Sequence, residues 1–141
     1  MNDRVLVDTN ILVYAYDVDA GDKQIKAAEI LDALWQQGNG VLTTQVLAEF
    51  FITTTQKVKQ RLSLPDARQI IEDYRAGWTI FTTTPDTVLR AIASVELHRL
   101  SFWDAMIWAA AVINHVSIIY SEDMQHGQII EGVRIENPLR I

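Results

Sequence analysis

Val5-Leu6-Val7 is an unbroken apolar run only three residues long, rich in β-branched side chains, and an acid, Asp8, follows it at once. A run this short falls below one helical turn, and with no polar residue in alternation it has no face to offer water. It predicts a strand covered on both sides, the usual condition of a parallel sheet. Comparable short strands are expected at Val41-Leu42-Thr43, Trp78 to Phe81, Ser117 to Tyr120 and Val133 to Glu136.

Helical patterns separate these runs. Lys23 to Gln37 places Ala27, Ala28, Leu31, Leu34 and Trp35 on one stripe, and Gly38-Asn39-Gly40 stops it. Thr44 is positioned to cap a helix running to about Arg61, and Pro65 opens another that ends near Gly77. Pro85 begins a further helix in which Val88, Ile92 and Val95 share a face, and Ser101 opens one extending through Asn114. Strands alternating with helices describe an α/β domain with a mostly parallel central sheet, in which ligands bind at the carboxyl ends of the strands. No repeat, low-complexity tract or linker interrupts the pattern, so a single domain over residues 1–141 is expected.

Composition narrows the chemistry. At 49% hydrophobic over 141 residues the chain can build a core without staples, and it has no cysteine, which excludes thiol catalysis and Cys-based zinc sites. The start, Met1-Asn2-Asp3-Arg4, lacks the pattern of a signal peptide, and no uncharged apolar run approaches the roughly 20 residues that span a bilayer. A soluble, cytoplasmic protein without membrane contact is expected. The net charge of −6 opposes nucleic-acid binding through Lys and Arg alone. A phosphate-bearing ligand would need a local basic patch or a bound cation.

The acids themselves suggest the cation. Asp8 ends a buried strand, and Glu49 is the only charge in Val46-Leu47-Ala48-Glu49-Phe50-Phe51-Ile52. Asp104 is the only charge from Ser101 to Ile113, and Asp123 follows Ile118-Ile119-Tyr120 closely, with Glu122 beside it. An unpaired buried carboxylate costs several kcal/mol, by order of magnitude. No Lys or Arg lies within these runs to compensate. Convergence of the four on a hard divalent ion, Mg²⁺ or Mn²⁺, would account for them together. Each also admits a structural reading: Asp8 as a turn cap, Glu49 as a solvated helix acid, Asp104 as part of a capping box with Ser101, Asp123 as an ordinary turn residue.

Four stretches carry a family resemblance: Val7-Asp8-Thr9-Asn10-Ile11-Leu12-Val13-Tyr14-Ala15, Thr44-Gln45-Val46-Leu47-Ala48-Glu49-Phe50, Phe102-Trp103-Asp104-Ala105 and Ser121-Glu122-Asp123-Met124-Gln125-His126-Gly127. In that order and over nearly the whole chain, the sequence resembles the PIN-domain nucleases, in particular VapC-like toxins of type II toxin–antitoxin pairs. The resemblance implies a three-layer α/β/α sandwich and Mg²⁺- or Mn²⁺-dependent hydrolysis of RNA. It assigns Asp8, Glu49, Asp104 and Asp123 as catalytic and metal-binding acids, with Asn10 and Ser121 orienting a carboxylate or contacting substrate. Asp123 is preferred over Glu122 because the family's last acid lies two residues after a Ser or Thr. A cognate antitoxin and a homodimer are further implications.

Weaker signals are read conservatively. Lys57, Lys59 and Arg61 fit a solvated helix end better than an RNA contact, and His126 fits a surface loop. Trp35, Trp78, Trp103 and Trp108 are expected in the core, an exposed one marking a partner groove. The rival readings are a phosphoaspartate enzyme or receiver domain using Asp8, and a non-catalytic PIN-like interaction module. Asn10 stands where a phosphoaspartate phosphatase would want a second acid.

Overall fold

The computed structural model describes residues 3–140. Its strands are β1 (Val5–Val7), β2 (Gly40–Thr43), β3 (Thr79–Phe81), β4 (Ile118–Tyr120), β5 (Ile129–Ile130) and β6 (Val133–Glu136). They form one sheet in the order β3-β2-β1-β4-β6-β5, parallel throughout except for the antiparallel β5–β6 pair. The helices are α1 (Thr9–Ala15), α2 (Asp22–Gln37), α3 (Thr44–Ile52), α4 (Leu64–Gly77), α5 (Pro85–His98) and α6 (Phe102–Ile113).

Successive strand residues point to opposite faces. Val5, Leu6 and Val7 are all nearly inaccessible, so β1 is covered on both sides, as its unbroken apolar run requires. The helices form two packing groups, α1 with α2 and α3 and on to α4, and α5 with α6. The result is an α/β/α sandwich with a mostly parallel sheet, the architecture expected from the alternation of elements.

The topology creates one privileged place. From β1 the chain moves outward through β2 and β3, then returns to add β4 on the other side of β1. Connections therefore diverge between β1 and β4, the switch point at which such sheets leave a crevice beyond the strand carboxyl ends. Val7 pairs with Tyr120 there, and the Asp8 N–H continues the ladder to the Tyr120 carbonyl at 2.9 Å. Asp8 and Ser121 are thus delivered side by side by residues far apart in the chain.

Two glycines explain local geometry. Gly38 closes α2 at φ 71°, a left-handed position, where its N–H caps the Leu34 and Trp35 carbonyls. Gly40, in β2, lies under the Trp78 indole; an added Cβ would sit 2.5 Å from that ring. Around it Trp35, Tyr74, Trp78, Tyr16 and Phe50 form an edge-packed aromatic cluster.

Several expectations need correction. The first helix, α1, shows no amphipathic stripe, because Ile11, Leu12 and Val13 are consecutive and all buried while Thr9, Asn10 and Tyr14 line the cleft. The helix carrying Glu49 does not reach Arg61. It ends at Ile52 and widens into a π turn at Thr53–Lys57, where the Thr54 and Thr55 hydroxyls donate to the Phe50 and Phe51 carbonyls four residues back. Its cap is Thr43, whose hydroxyl accepts from the Val46 N–H, and not Thr44. On α2, Ala28 is exposed and Trp35 is half-covered, so the buried stripe is narrower than the pattern suggested. On α5 the covered residues are Thr87, Ala91 and Ser94, while Ile92 and Val95 stay exposed; small side chains let α5 lie close on α6. Trp78 and Trp108 are core residues as expected, whereas Trp103 is 61% exposed. The short strand β5 was not anticipated. Among the described residues no helix is long and apolar enough to cross a membrane.

Candidate active site

Beyond the β1 and β4 carboxyl ends lies a cleft of about 430 Å³. Four separate segments bring acids to its wall: Asp8 from the end of β1, Glu49 from α3, Asp104 from the first turn of α6, and Asp123 from the loop after β4. Asp17, in the turn after α1, is a fifth. Asn10, Thr9, Tyr14, Gln45 and Thr53 add polar atoms, and Val13, Val58, Trp103 and Ile107 an apolar side. Among the described residues, neither Lys nor Arg contributes to this wall.

Asp8 is the most enclosed of the acids, at 7% exposure. It caps α1: the Thr9 N–H donates to Oδ1 at 2.7 Å, and the buried Ser121 hydroxyl donates to Oδ2 at 2.8 Å. Ser121 is itself held by the Met124 N–H. Burial nevertheless pushes the Asp8 carboxyl up to about 6, those two hydrogen bonds drawing it down and the charges of Asp104 and Asp123 adding to the rise. Asp8 is therefore a helix cap that also lines the cleft. Capping alone does not call for a carboxylate this deeply desolvated with like charges facing it.

Glu49 is placed by two donors on one oxygen. The Gln45 amide donates to Oε1 at 3.0 Å from one turn back on α3, and the Thr9 hydroxyl at 3.2 Å from α1. Oε2 keeps its lone pairs. It is not a solvated acid on an outer helix face. Asp104 stands on a capped end, its N–H donating to the Ser101 hydroxyl at 3.3 Å. Burial raises its carboxyl, Ser101 draws it back, and the Asp123 charge adds to the rise. Asp123 faces solvent at the cleft mouth.

Glu122 has a different employment. Its Oε1 accepts from the Tyr14 hydroxyl at 2.5 Å and its Oε2 pairs with Lys23 at 2.7 Å, and these partners lower its pKa against the pull of burial. It fastens the loop after β4 to α1 and α2 and is absent from the cleft wall. Asn10 accepts from the Ile11 N–H through Oδ1, while its buried Nδ2 lacks a partner among the described residues. An unsatisfied buried donor costs about 1–3 kcal/mol, so this amide is suited to an acceptor brought in by a ligand. Lys57 lies beside Glu49 in a shallow adjoining hollow, away from the cleft itself. His126 accepts from the Asn137 N–H and also stands outside it.

Among the described residues no three Asp, Glu, His or Cys side chains are grouped tightly enough to cage one ion. The donor set is all oxygen and all acidic, without a cation of its own. That chemistry suits Mg²⁺ or Mn²⁺, because Mg²⁺ takes one or two carboxylates and completes its shell with water and substrate phosphate. It does not suit a closed all-protein site. Sequence reasoning missed Asp17, Tyr14 and Gln45. Gln45, four residues before Glu49, had a readable signal in its i,i+4 spacing; Asp17, in an Asp-Val-Asp turn, had none.

The PIN domain family matches residues 5–129 of the chain. No curated protein matches it significantly in sequence. Among solved structures, a toxin–antitoxin complex from Klebsiella pneumoniae aligns with a TM-score of 0.70 at 19% identity, covering 97% of this chain and 99% of that one. VapC20 of Mycobacterium tuberculosis, a sarcin-ricin-loop-cleaving toxin, aligns at 0.64 and 17% identity over 84% and 89% of the two chains. DNA-bound VapBC from Salmonella typhimurium aligns at 0.65 and 16%, over 96% and 98%. At such identities the likeness establishes a shared fold.

Proposed function

We propose that this chain, which belongs to the PIN domain family, is a divalent-metal-dependent ribonuclease and the toxin of a toxin–antitoxin pair. The observation that carries the reading is the convergence of Asp8, Glu49, Asp104 and Asp123 on one cleft whose wall has no Lys or Arg among the described residues. Like charges held together in a partly desolvated site repel, and a cation offsets that repulsion while giving a phosphate something to bind.

One or two of Asp8, Glu49, Asp104 and Asp123 would coordinate the ion directly and the others would reach it through its water shell, with Asp8 locked by Thr9 and Ser121 and Glu49 by Gln45 and Thr9. Bound Mg²⁺ or Mn²⁺ would supply Lewis-acid stabilisation of the phosphoryl oxygens and a more acidic water. Asn10 donates its free Nδ2–H to substrate or to a displaced carboxylate. Asp104, raised by burial and then by Asp123, is suited to take the proton of the attacking water on its carboxylate. Water attacks phosphorus in line, the P–O3′ bond breaks, the leaving 3′-oxygen takes a proton from solvent, and the products carry a 5′-phosphate and a 3′-hydroxyl. Likeness to solved toxin–antitoxin complexes supports a protein antitoxin as partner, and the same proposal includes a homodimer in the cytoplasm.

The test is to purify the protein through a chelator, add Mg²⁺ or Mn²⁺, and sequence the 5′ ends of cut RNA for wild type and Asp8→Ala. Metal-dependent cuts with 5′-phosphates that vanish in the variant are expected. Equal cutting by both proteins, or 2′,3′-cyclic phosphate ends, would overturn the assignment. A phosphoaspartate reading would require a phosphorylated Asp8 to be trapped, and its deep placement between Ser121 and Thr9 gives it little room to be attacked.

A further inference from the structure

We infer that Trp103 is a stacking platform for an unpaired nucleobase next to the scissile phosphate, an inference that rests on the proposed RNA cleavage. Helix α6 carries two tryptophans with opposite fates. Trp108 is 1% exposed and its indole N–H donates to the Ile130 carbonyl. Trp103 is 61% exposed, yet it lines the acid cleft one residue before Asp104. Its aromatic neighbour is Phe102, in an edge contact at 5.1 Å and 69°. Core packing therefore does not explain an indole at this position.

Charge says what it is for. Among the described residues the cleft wall offers neither Lys nor Arg, and the chain carries a net −6, so the phosphates of RNA gain little from it beyond a bound cation. Affinity has to come from the bases, through the apolar side of the cleft where Trp103 stands above Ile107 in sequence and beside it on the wall. A base inside a duplex has both faces covered, so a ring like this selects unpaired or extruded nucleotides. Replacing such a ring by Ala typically weakens binding roughly five- to hundred-fold per stacked base.

The test uses a short RNA whose cut site has been mapped, and the same RNA with one nucleotide at a time made abasic. Trp103→Ala should raise KM roughly five- to hundred-fold with kcat nearly kept, and Trp103→Phe should restore most of it. One abasic position should impose the same penalty on wild type and no further penalty on Trp103→Ala. Unchanged kcat/KM in Trp103→Ala, or an abasic penalty that persists in it, overturns the inference and leaves the exposed ring to a protein partner. Indole fluorescence keeps the two readings apart. In wild-type protein with Mg²⁺, a non-hydrolysable analogue of the RNA should quench emission, and the Trp103→Phe change should abolish that quench. Trp103-dependent quenching without any cleavage by wild type would sink the nuclease reading and, with it, the scissile-phosphate placement, leaving a ring that only binds RNA; no Trp103-dependent quenching sinks this inference whatever the cleavage result.

Discussion

Asp8→Asn should destroy cleavage and at the same time stabilise the cation-free protein above neutral pH. The carboxyl is 7% exposed, and burial lifts it from 3.8 to about 6 in the folded chain. A raised carboxyl binds its proton more tightly when folded. Its contribution to stability is therefore complete below the unfolded value near 3.8 and lost as pH rises through about 6. The rise of about two units is equivalent to roughly 3 kcal/mol that wild type forgoes at pH 8. Asparagine stays neutral, can accept from the Thr9 N–H, and can donate to Ser121, so most of that penalty disappears. At this chain length the gain is about 5–10 °C in Tm. Thermal melts in chelator at pH 8 and pH 4 measure it: the variant should melt well above wild type at pH 8, and the gap should close at pH 4, where Asp8 is protonated. Mg²⁺ at pH 8 should raise wild type and spare the variant, since ligand binding stabilises only a protein that can bind it. If Asp8→Asn melts at or below wild type at pH 8 in chelator, or if the gap is the same at both pH values, the desolvated charge is not what strains this site.

Ser121→Ala removes the buried donor that draws the Asp8 carboxyl down, so the acidic limb of the cleavage profile should move up by roughly one to two pH units; an unmoved limb means the hydrogen bond is not setting that ionisation. Asp123→Asn should lower kcat by about 10²-fold or more, whereas Glu122→Gln, committed to Lys23 and Tyr14, should keep activity within about threefold, as kinetics on the two variants will show. Gly40→Ala drives a methyl into the Trp78 ring and should cost about 1–3 kcal/mol in a denaturant titration without changing which RNA bonds are cut.

The strands and the acids were legible because both violate local expectation in the same way. A three-residue apolar run followed by Asp8 has no sensible solvated conformation, and a lone Glu49 or Asp104 among aromatic and aliphatic neighbours demands a reason. What stayed illegible depended on the third dimension. Helix α1 is hidden because its buried residues, Ile11, Leu12 and Val13, are consecutive and so carry no helical periodicity. The end of α3 turns on two consecutive threonines, Thr54 and Thr55, whose hydroxyls bond backward along the helix, an effect that a propensity reading spreads evenly over Thr53 to Lys57. The buried face of α5 followed side-chain size and not hydrophobicity, since Thr87, Ala91 and Ser94 admit a closer neighbour than Ile92. Trp103 was misplaced for a related reason: the apolar character of α6 as a whole says core, while its first turn opens onto the cleft.

The pairing of β1 with β4 also has a consequence for synthesis. Ser121 reaches Asp8 across 113 residues, and Asp104 and Asp123 arrive in the same late portion of the chain. At ordinary translation speeds those residues follow Asp8 out of the ribosome by roughly 6 to 20 s. Throughout that interval the nascent chain holds its first acid without the hydroxyl that orients it or the strand that shelters it. The four-acid cleft is thus complete only once the last third of the polypeptide has emerged, and the proposed cleavage would begin no earlier.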